Sequence, residues 1–427
     1  MHTIKMGFSQ KIITPSNSIQ TVGFGRTDEW SKGILQPLYA QITIWESDNG
    51  ICCLAAIDHI GFSKQHADFL RDEIGNLLSV SREKVMLCFS HTHAAPNDSS
   101  APEYFKFLCK QVKSGVSEAI RDLTPVYAAW GNAYTDIGVN RRSSCEALDR
   151  RIGILKICDA KEGALKLILL RLTVHNNVLK ADNYLISPDF FGTVRDELQS
   201  QYGCPVMVTQ GASGNVAPKY FKSKILPPDA NDSRFIRSDA ALNEMAQTVL
   251  QETEPVIASL IPRNLESISM YSEKITLFSD VPSYDQALAI AKEAAKACGI
   301  DGTAWLMEVE RLLQNQITVQ EEEIEVQYFF LDTFCLCGVA NEIMCEFALR
   351  VSEMLQNEYF YFGGYTNGCT GYFPTEEEFD KGGYEVYWSM LFYFRYHGRV
   401  FPLQRNSAAE LIRFAADNAR GIKFPLS

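Results

Sequence analysis

Val85–Asn97 reads VMLCFSHTHAAPN, and its reading decides the fold. Val85 to Phe89 is a short run of aliphatic and aromatic residues, entered from the charged Arg82-Glu83-Lys84 and followed at a distance by Pro96. An apolar run bounded in this way predicts a buried strand. Successive side chains of an extended chain alternate between faces, so His91 and His93, two apart, are expected to point the same way. A strand ending in His-x-His then presents two imidazoles to one cavity at the rim of a sheet, where open α/β folds place their ligands. Two loop histidines, each satisfied by a backbone carbonyl, are the plain alternative.

Working outward, Leu38 to Trp45 and Ile51 to Ile57 flank Asp48-Asn49-Gly50, a hairpin signal. Helical spacing through Phe69, Leu70, Ile74, Leu77 and Leu78 predicts a helix over 63–78 that feeds the His-x-His strand. A second helix is expected over 102–121, with Phe105, Leu108, Val112, Val116 and Ile120 on one face. A strand through Val126 to Trp130 follows. The apolar runs Ile152 to Ile157 and Leu165 to Val174 form a further hairpin around Gly163, and the second delivers His175 at its end. A helix over 189–201 leads to the strand Val206 to Thr209 and to a small-residue turn, Gly211 to Gly214. Such a turn lets backbone N–H groups approach a ligand, or simply makes a tight connection. Beyond it come a surface loop over 218–232, a helix over 238–251, a half-exposed strand over 266–277 and helices over 284–297 and 303–316. Apolar strands alternating with amphipathic helices, interrupted by hairpins, predict an α/β fold with a mixed β-sheet core flanked by helices.

The 427 residues are 46% hydrophobic and 22% charged, an ordinary globular composition with ample core. A net charge of −12, with no basic run, disfavours a nucleic-acid partner. No stretch reaches the length of a transmembrane helix, and MHTIKMGFSQKIITP lacks the apolar core of a signal peptide. The 12 cysteines are scattered without a CxxC pair. A cytoplasmic, reducing location is the expectation. No repeat or low-complexity linker divides the chain, so residues 1–427 are read as one catalytic domain with at most a soft boundary within 253–322.

The run IEVQYFFLDTFCLCGVANEIMCEFALRV begins strand-like and continues as a helix after Asn341. Glu342 is expected in the first turn of that helix, where free N–H groups and the dipole stabilise a carboxylate. Three of seven histidines at strand ends, with a glutamate at another strand-to-helix junction, form a natural zinc set with a position left for water. That points to a metal hydrolase.

At this level of detail the chain resembles the neutral/alkaline ceramidases. The resemblance is carried, in order, by His91-Thr92-His93 with Pro96, Asn140-Arg141, His175 with Ile186-Ser187-Pro188-Asp189, Gly214-Asn215-Val216-Ala217-Pro218, Glu342, Thr366-Asn367 to Tyr372, and Tyr384-Glu385. It covers nearly the whole chain and matches the family's N-terminal catalytic domain. The family is zinc-dependent and hydrolyses the amide of ceramide to sphingosine and a fatty acid. The resemblance therefore implies Zn2+ as cofactor, with His91, His175, Glu342 and Tyr372 as ligands. It implies His93, Arg141 and Tyr384 acting on the scissile amide, and Gly214, Asn215 and Asn140 near the substrate.

Departures narrow what is implied. Ala217 stands where the family has a serine, which excludes a serine acyl-enzyme at that place and leaves water as the nucleophile. Ala340-Asn341-Glu342 replaces Pro-Gly-Glu, and His175-Asn176-Asn177 replaces His-Gly-Thr. Counterparts of the family's C-terminal β-sandwich and secretion signal are not expected. The expectation is a zinc-dependent amidohydrolase of an N-acyl amide, ceramide-like or smaller and more soluble. A metal-dependent hydrolase of another bond, such as an ester, and a non-catalytic binding protein retaining the fold are the alternatives. The oligomeric state is not encoded in any motif.

Overall fold

The computed structural model describes residues 3–142, 144–221 and 239–420, so most of the loop expected over 218–232 lies outside the described residues. The principal sheet carries, across its width, the strands Val206–Gln210, Leu165–Leu172, Arg151–Asp159, Thr124–Tyr134, Lys5–Ile12, Tyr39–Ser47, Gly50–Ile57 and Val85–Phe89. Its two outermost pairs are parallel and those between are antiparallel. A second sheet is ordered Ile268–Asp280, Val319–Leu331, Phe334–Gly338 and Phe360–Gly363, with only the last pair parallel.

The two sheets pack face to face. Trp45, Leu54, Met86, Leu155, Leu169 and Met207 from the first meet Met270, Phe329, Phe334, Leu336 and Tyr361 from the second in one apolar layer. The other face of the first sheet is covered by the helices Lys64–Leu78 and Pro102–Arg121 on one half and by Asp189–Tyr202 and Asp239–Ser259 on the other. The helices Cys345–Leu355 and Ser407–Asp417 cover the outer face of the second sheet. Both faces of these strands are thus removed from water, which is why VMLCF and ICCLAAI read as continuous apolar runs rather than alternating ones. The mixed α/β fold expected from the sequence is the one present. The stacking of a second sheet behind the first was not part of that reading.

Two local expectations are corrected. The helix Lys64–Leu78, capped by the Ser63 hydroxyl, buries Ala67, Leu70, Arg71, Ile74 and Leu78 and leaves Phe69 and Leu77 about half exposed. Its inner face is rotated because Arg71 turns inward to an ion network. Ile120 likewise sits at the edge of its helix's buried face. Within 253–322 the strands Ile268–Asp280 and Val319–Leu331 pair along their whole length, and the helices Tyr284–Cys298 and Thr303–Gln314, inserted between them, pack with Leu391 and Val400 in a small core. Among the described residues no helix is long and apolar enough to cross a membrane.

The first sheet curls until its edges meet. Gln41, near its middle, donates to the carbonyl of Val206 at 2.7 Å, and the Gln210 amide reaches Ser90 O at 3.5 Å and Val174 O at 2.9 Å. The segments that follow Val85–Phe89, Leu165–Leu172 and Val206–Gln210 are therefore brought to one place.

Candidate metal centre

His91 reaches the site by a sharper route than an extended strand. The strand ends at Phe89; His91 has φ 58°, in the left-handed region, and its N–H is caught by His59 O at 2.9 Å. His91 and His93 still converge, through this backbone reversal rather than through strand alternation. His175 lies three residues past its strand, its N–H donating to Val216 O at 2.8 Å.

The three imidazoles meet through their Nε2 atoms. His93 Nε2 is 3.3 Å from His91 Nε2 and 3.2 Å from His175 Nε2. Each Nδ1 faces a backbone carbonyl instead: His91 to Ile60 O at 2.6 Å, His93 to Gly23 O at 3.1 Å, His175 to Ser213 O at 3.3 Å. A carbonyl only accepts, so in the neutral ring the proton belongs on Nδ1 and the lone pair on Nε2. Burial holds His93 and His175 well below the ordinary histidine pKa, and the neighbouring imidazole and guanidinium charges push the same way. With all three rings neutral in this tautomer, three lone pairs face one another. Zinc at ~2.0–2.1 Å from tetrahedral nitrogens sets them about 3.3 Å apart. The donor set, its spacing and its carbonyl-fixed tautomers fit such an ion.

Glu342 borders this group, its Oε2 3.2 Å from His91 Nε2. It is not in the first helical turn: the helix begins at Cys345, and Glu342–Ile343 instead forms a two-residue parallel pair with Tyr372–Phe373. That pairing makes Glu342 and Tyr372 register partners and brings Tyr372 to the site, which local spacing alone does not reveal. Burial acts to raise the Glu342 pKa, but His91 in its protonated form, the hydrogen bond from Tyr393 and the charge of Arg141 hold it below the ordinary value. Tyr393 donates to its Oε1 at 2.7 Å.

Arg141 donates through Nη2 to the Tyr372 hydroxyl at 3.0 Å and to Gly214 O at 2.7 Å, and its Nε lies 2.9 Å from Glu385. Arg142 pairs with Glu385 and Glu378, pinning the π-helical turn Tyr384–Trp388 beside them. The Tyr384 ring lies 5.8 Å from that of Tyr372. His91, His93, Glu342, Tyr372 and Tyr384 all line one cavity of about 430 Å³, walled further by Phe24, Ile60, Ile300, Phe392, Tyr393 and Tyr396. His91 and His175 are almost wholly buried, whereas His93 stands half-buried at the cavity wall against Phe24.

Other expected residues serve the protein's own backbone. The Gly214 N–H donates to Ile343 O at 2.9 Å, and a Cβ there would stand 2.4 Å from Glu342 O. This glycine exists so that the turn can lie against the Glu342 strand, which takes up the N–H expected for a ligand. The fully buried Asn215 caps the helix Cys345–Leu355 by accepting from Cys345 N and donates to Glu346. Asn140 bonds Ala147 O and Arg142 N. None of the three is among the cavity's walls. Ala217 is buried in a short ladder opposite Val139. Sequence reasoning missed Gly23, Tyr365, Cys369 and Tyr393. A glycine-marked loop and aromatic residues in an apolar chain carry no signal that separates them from turn and core.

This architecture defines a class: the chain has a neutral ceramidase-like fold. It is similar to the crystal structure of neutral ceramidase from Pseudomonas aeruginosa, with a TM-score of 0.72 at 16% identity over 98% of this chain and 74% of that one. A ceramidase complexed with C2 matches equally, with a TM-score of 0.72 at 16% identity over 98% and 75% of the two chains. No protein-family model and no curated protein sequence matches this chain.

Proposed function

We propose that the protein is a zinc-dependent amidohydrolase that cleaves an N-acyl amide. The observation that carries this reading is the convergence of three imidazole Nε2 atoms beside a carboxylate at the wall of a cavity. In this reading His91, His175, Glu342 and Tyr372 hold the ion. Zinc bound there supplies Lewis-acid polarisation of the amide carbonyl and a water that ionises near neutral pH.

The chain's own residues account for the rest of the chemistry. His93, the histidine on the cavity side, has an unprotonated Nε2 and takes a proton from the attacking water, then returns it to the leaving amine. Gly23 O, on Nδ1, keeps that ring in the tautomer the task requires. Arg141, oriented by Glu385 and Gly214 O, places a fixed positive charge next to Tyr372, where negative charge develops on the former carbonyl oxygen. Burial raises the Tyr384 pKa, so its hydroxyl keeps its proton and remains a donor to the substrate. Ala217, inside its ladder, takes no part.

The test is a panel of N-acyl amides of graded chain length, ceramide among them, with ester analogues, assayed with added zinc and after chelation. Zinc-dependent release of amine from an acyl amide, fastest for a compact or soluble one, is the expected result. Cleavage of esters only redirects the reading to another bond. No turnover with zinc bound makes the protein a binding module.

A further inference from the structure

We propose that Tyr365 is a positioning residue for the metal centre, a single buried phenol that orients His91, His175 and Glu342 together. The proposal rests on the metal reading above and concerns how this chain holds the ligands.

Tyr365 is fully buried at φ 56°, a conformation that a bulky residue adopts only when its surroundings impose it. Its carbonyl accepts from Phe89 N at 3.0 Å and its N–H donates to Asn341 O at 3.3 Å. It is therefore stitched to the segment that leads into His91 and to the residue before Glu342. Its ring lies 4.3 Å, centroid to centroid, from that of His91.

The hydroxyl decides between packing and positioning. Ser213 Oγ donates to it at 3.1 Å, and it lies 3.4 Å from Glu342 Oε2. A phenol has one proton, and with the serine hydrogen already pointing at its oxygen, that proton goes to the carboxylate. The carbonyl of the same Ser213 accepts from His175 Nδ1. One oxygen thus links the residue that sets the His175 tautomer to the carboxylate beside His91. Tyr393 holds the other carboxylate oxygen, so Glu342 is fixed about both and turns Oε2 toward the histidines. A phenylalanine would fill the same volume and lose the hydroxyl's two hydrogen bonds, to Ser213 and to Glu342.

The experiment measures zinc affinity by chelator competition on the full chain, together with the thermal stability of the zinc-free form. The variants are Tyr365→Phe, Ser213→Ala and Tyr361→Phe; Tyr361 donates its buried hydroxyl to Asn132 at 2.6 Å and serves as control. Loss of a group that orients a ligand typically weakens metal binding about 10–100-fold. Tyr365→Phe is expected to show that loss, Ser213→Ala a smaller one in the same direction, and Tyr361→Phe none, although both tyrosine variants lose stability. Zinc affinity in Tyr365→Phe equal to that of the wild type overturns the proposal. Should that variant fail to fold, unchanged affinity in Ser213→Ala overturns it instead. A wild-type chain that takes up no zinc overturns the metal reading itself, a result distinct from the others because it precedes any variant.

Discussion

Two buried polar clusters flank the strand Val85–Phe89, and they differ in whether the protein answers them. At its start, Arg71 is fully buried and each arm of its guanidinium is used: Nε on Val85 O, Nη1 on Asp68 and Glu325, Nη2 on Glu325 and Gln327. Beyond its end, three imidazole acceptors face one another and a carboxylate. Buried polar groups are ordinarily paired within the protein, as Arg71 is. A cluster whose acceptors confront acceptors could be completed by a cation from outside. On the proposed reading the first cluster is structure and the second a site, and the contrast can be broken by perturbing each.

The largest effect is expected at the second cluster. His91→Ala and His175→Ala should each empty the metal site and abolish turnover while the far-ultraviolet circular dichroism is kept, since both side chains lie at the rim of a sheet rather than within it. Next, His93→Ala should lower kcat by about a hundred- to ten-thousand-fold, the usual contribution of general acid–base catalysis, with zinc content unchanged. Loss of zinc from His93→Ala would make this residue a ligand and reassign the proton transfer.

Arg71→Ala should do the reverse, leaving the zinc of folded molecules intact while costing about 3–5 kcal/mol, the range for breaking a buried ion pair. Urea titration measures it. The pH dependence sharpens the point: burial acts to raise the Glu325 pKa, but Arg71 holds it below its ordinary value of 4.5. A carboxylate depressed on folding contributes stability that is present above its unfolded pKa and lost as pH falls through the folded one. The gap between wild type and Arg71→Ala should therefore narrow below about pH 4.5. A gap that widens there contradicts the pairing. The smallest effect is expected of Ala217→Ser: a buried hydroxyl costing about 1–3 kcal/mol if unpaired, and no new activity, because that position faces a ladder and not the cavity. A gain in turnover would show that the ladder opens.

What the sequence made legible follows from the range of the interactions involved. Val85–Phe89 and Pro102–Arg121 were legible because their boundaries are set locally, by charged neighbours and by a proline at the helix start. His91 and His93 were legible as chemistry but not as geometry, since the positive φ at His91 is imposed by His59 O from another strand end. Glu342 was placed in the wrong element because a two-residue strand exists only through its distant partner Tyr372. Tyr365 and Tyr393 could not be told from core tyrosines, because only the carboxylate they approach in three dimensions gives their hydroxyls a purpose. The inward turn of Arg71 was equally hidden: its partners Glu325 and Gln327 lie some 250 residues away along the chain.

The central claim is that His91 and His175, with Glu342 and Tyr372, hold a metal beside the Nε2 of His93. The most direct measurement is elemental analysis of the purified wild-type chain, paired with zinc-edge anomalous diffraction from its crystals. One zinc per chain is expected, with a single anomalous peak between Glu342 and the Nε2 atoms of His91 and His175. A chain that holds no metal after equilibration with zinc, or whose zinc lies away from these residues, would contradict the account.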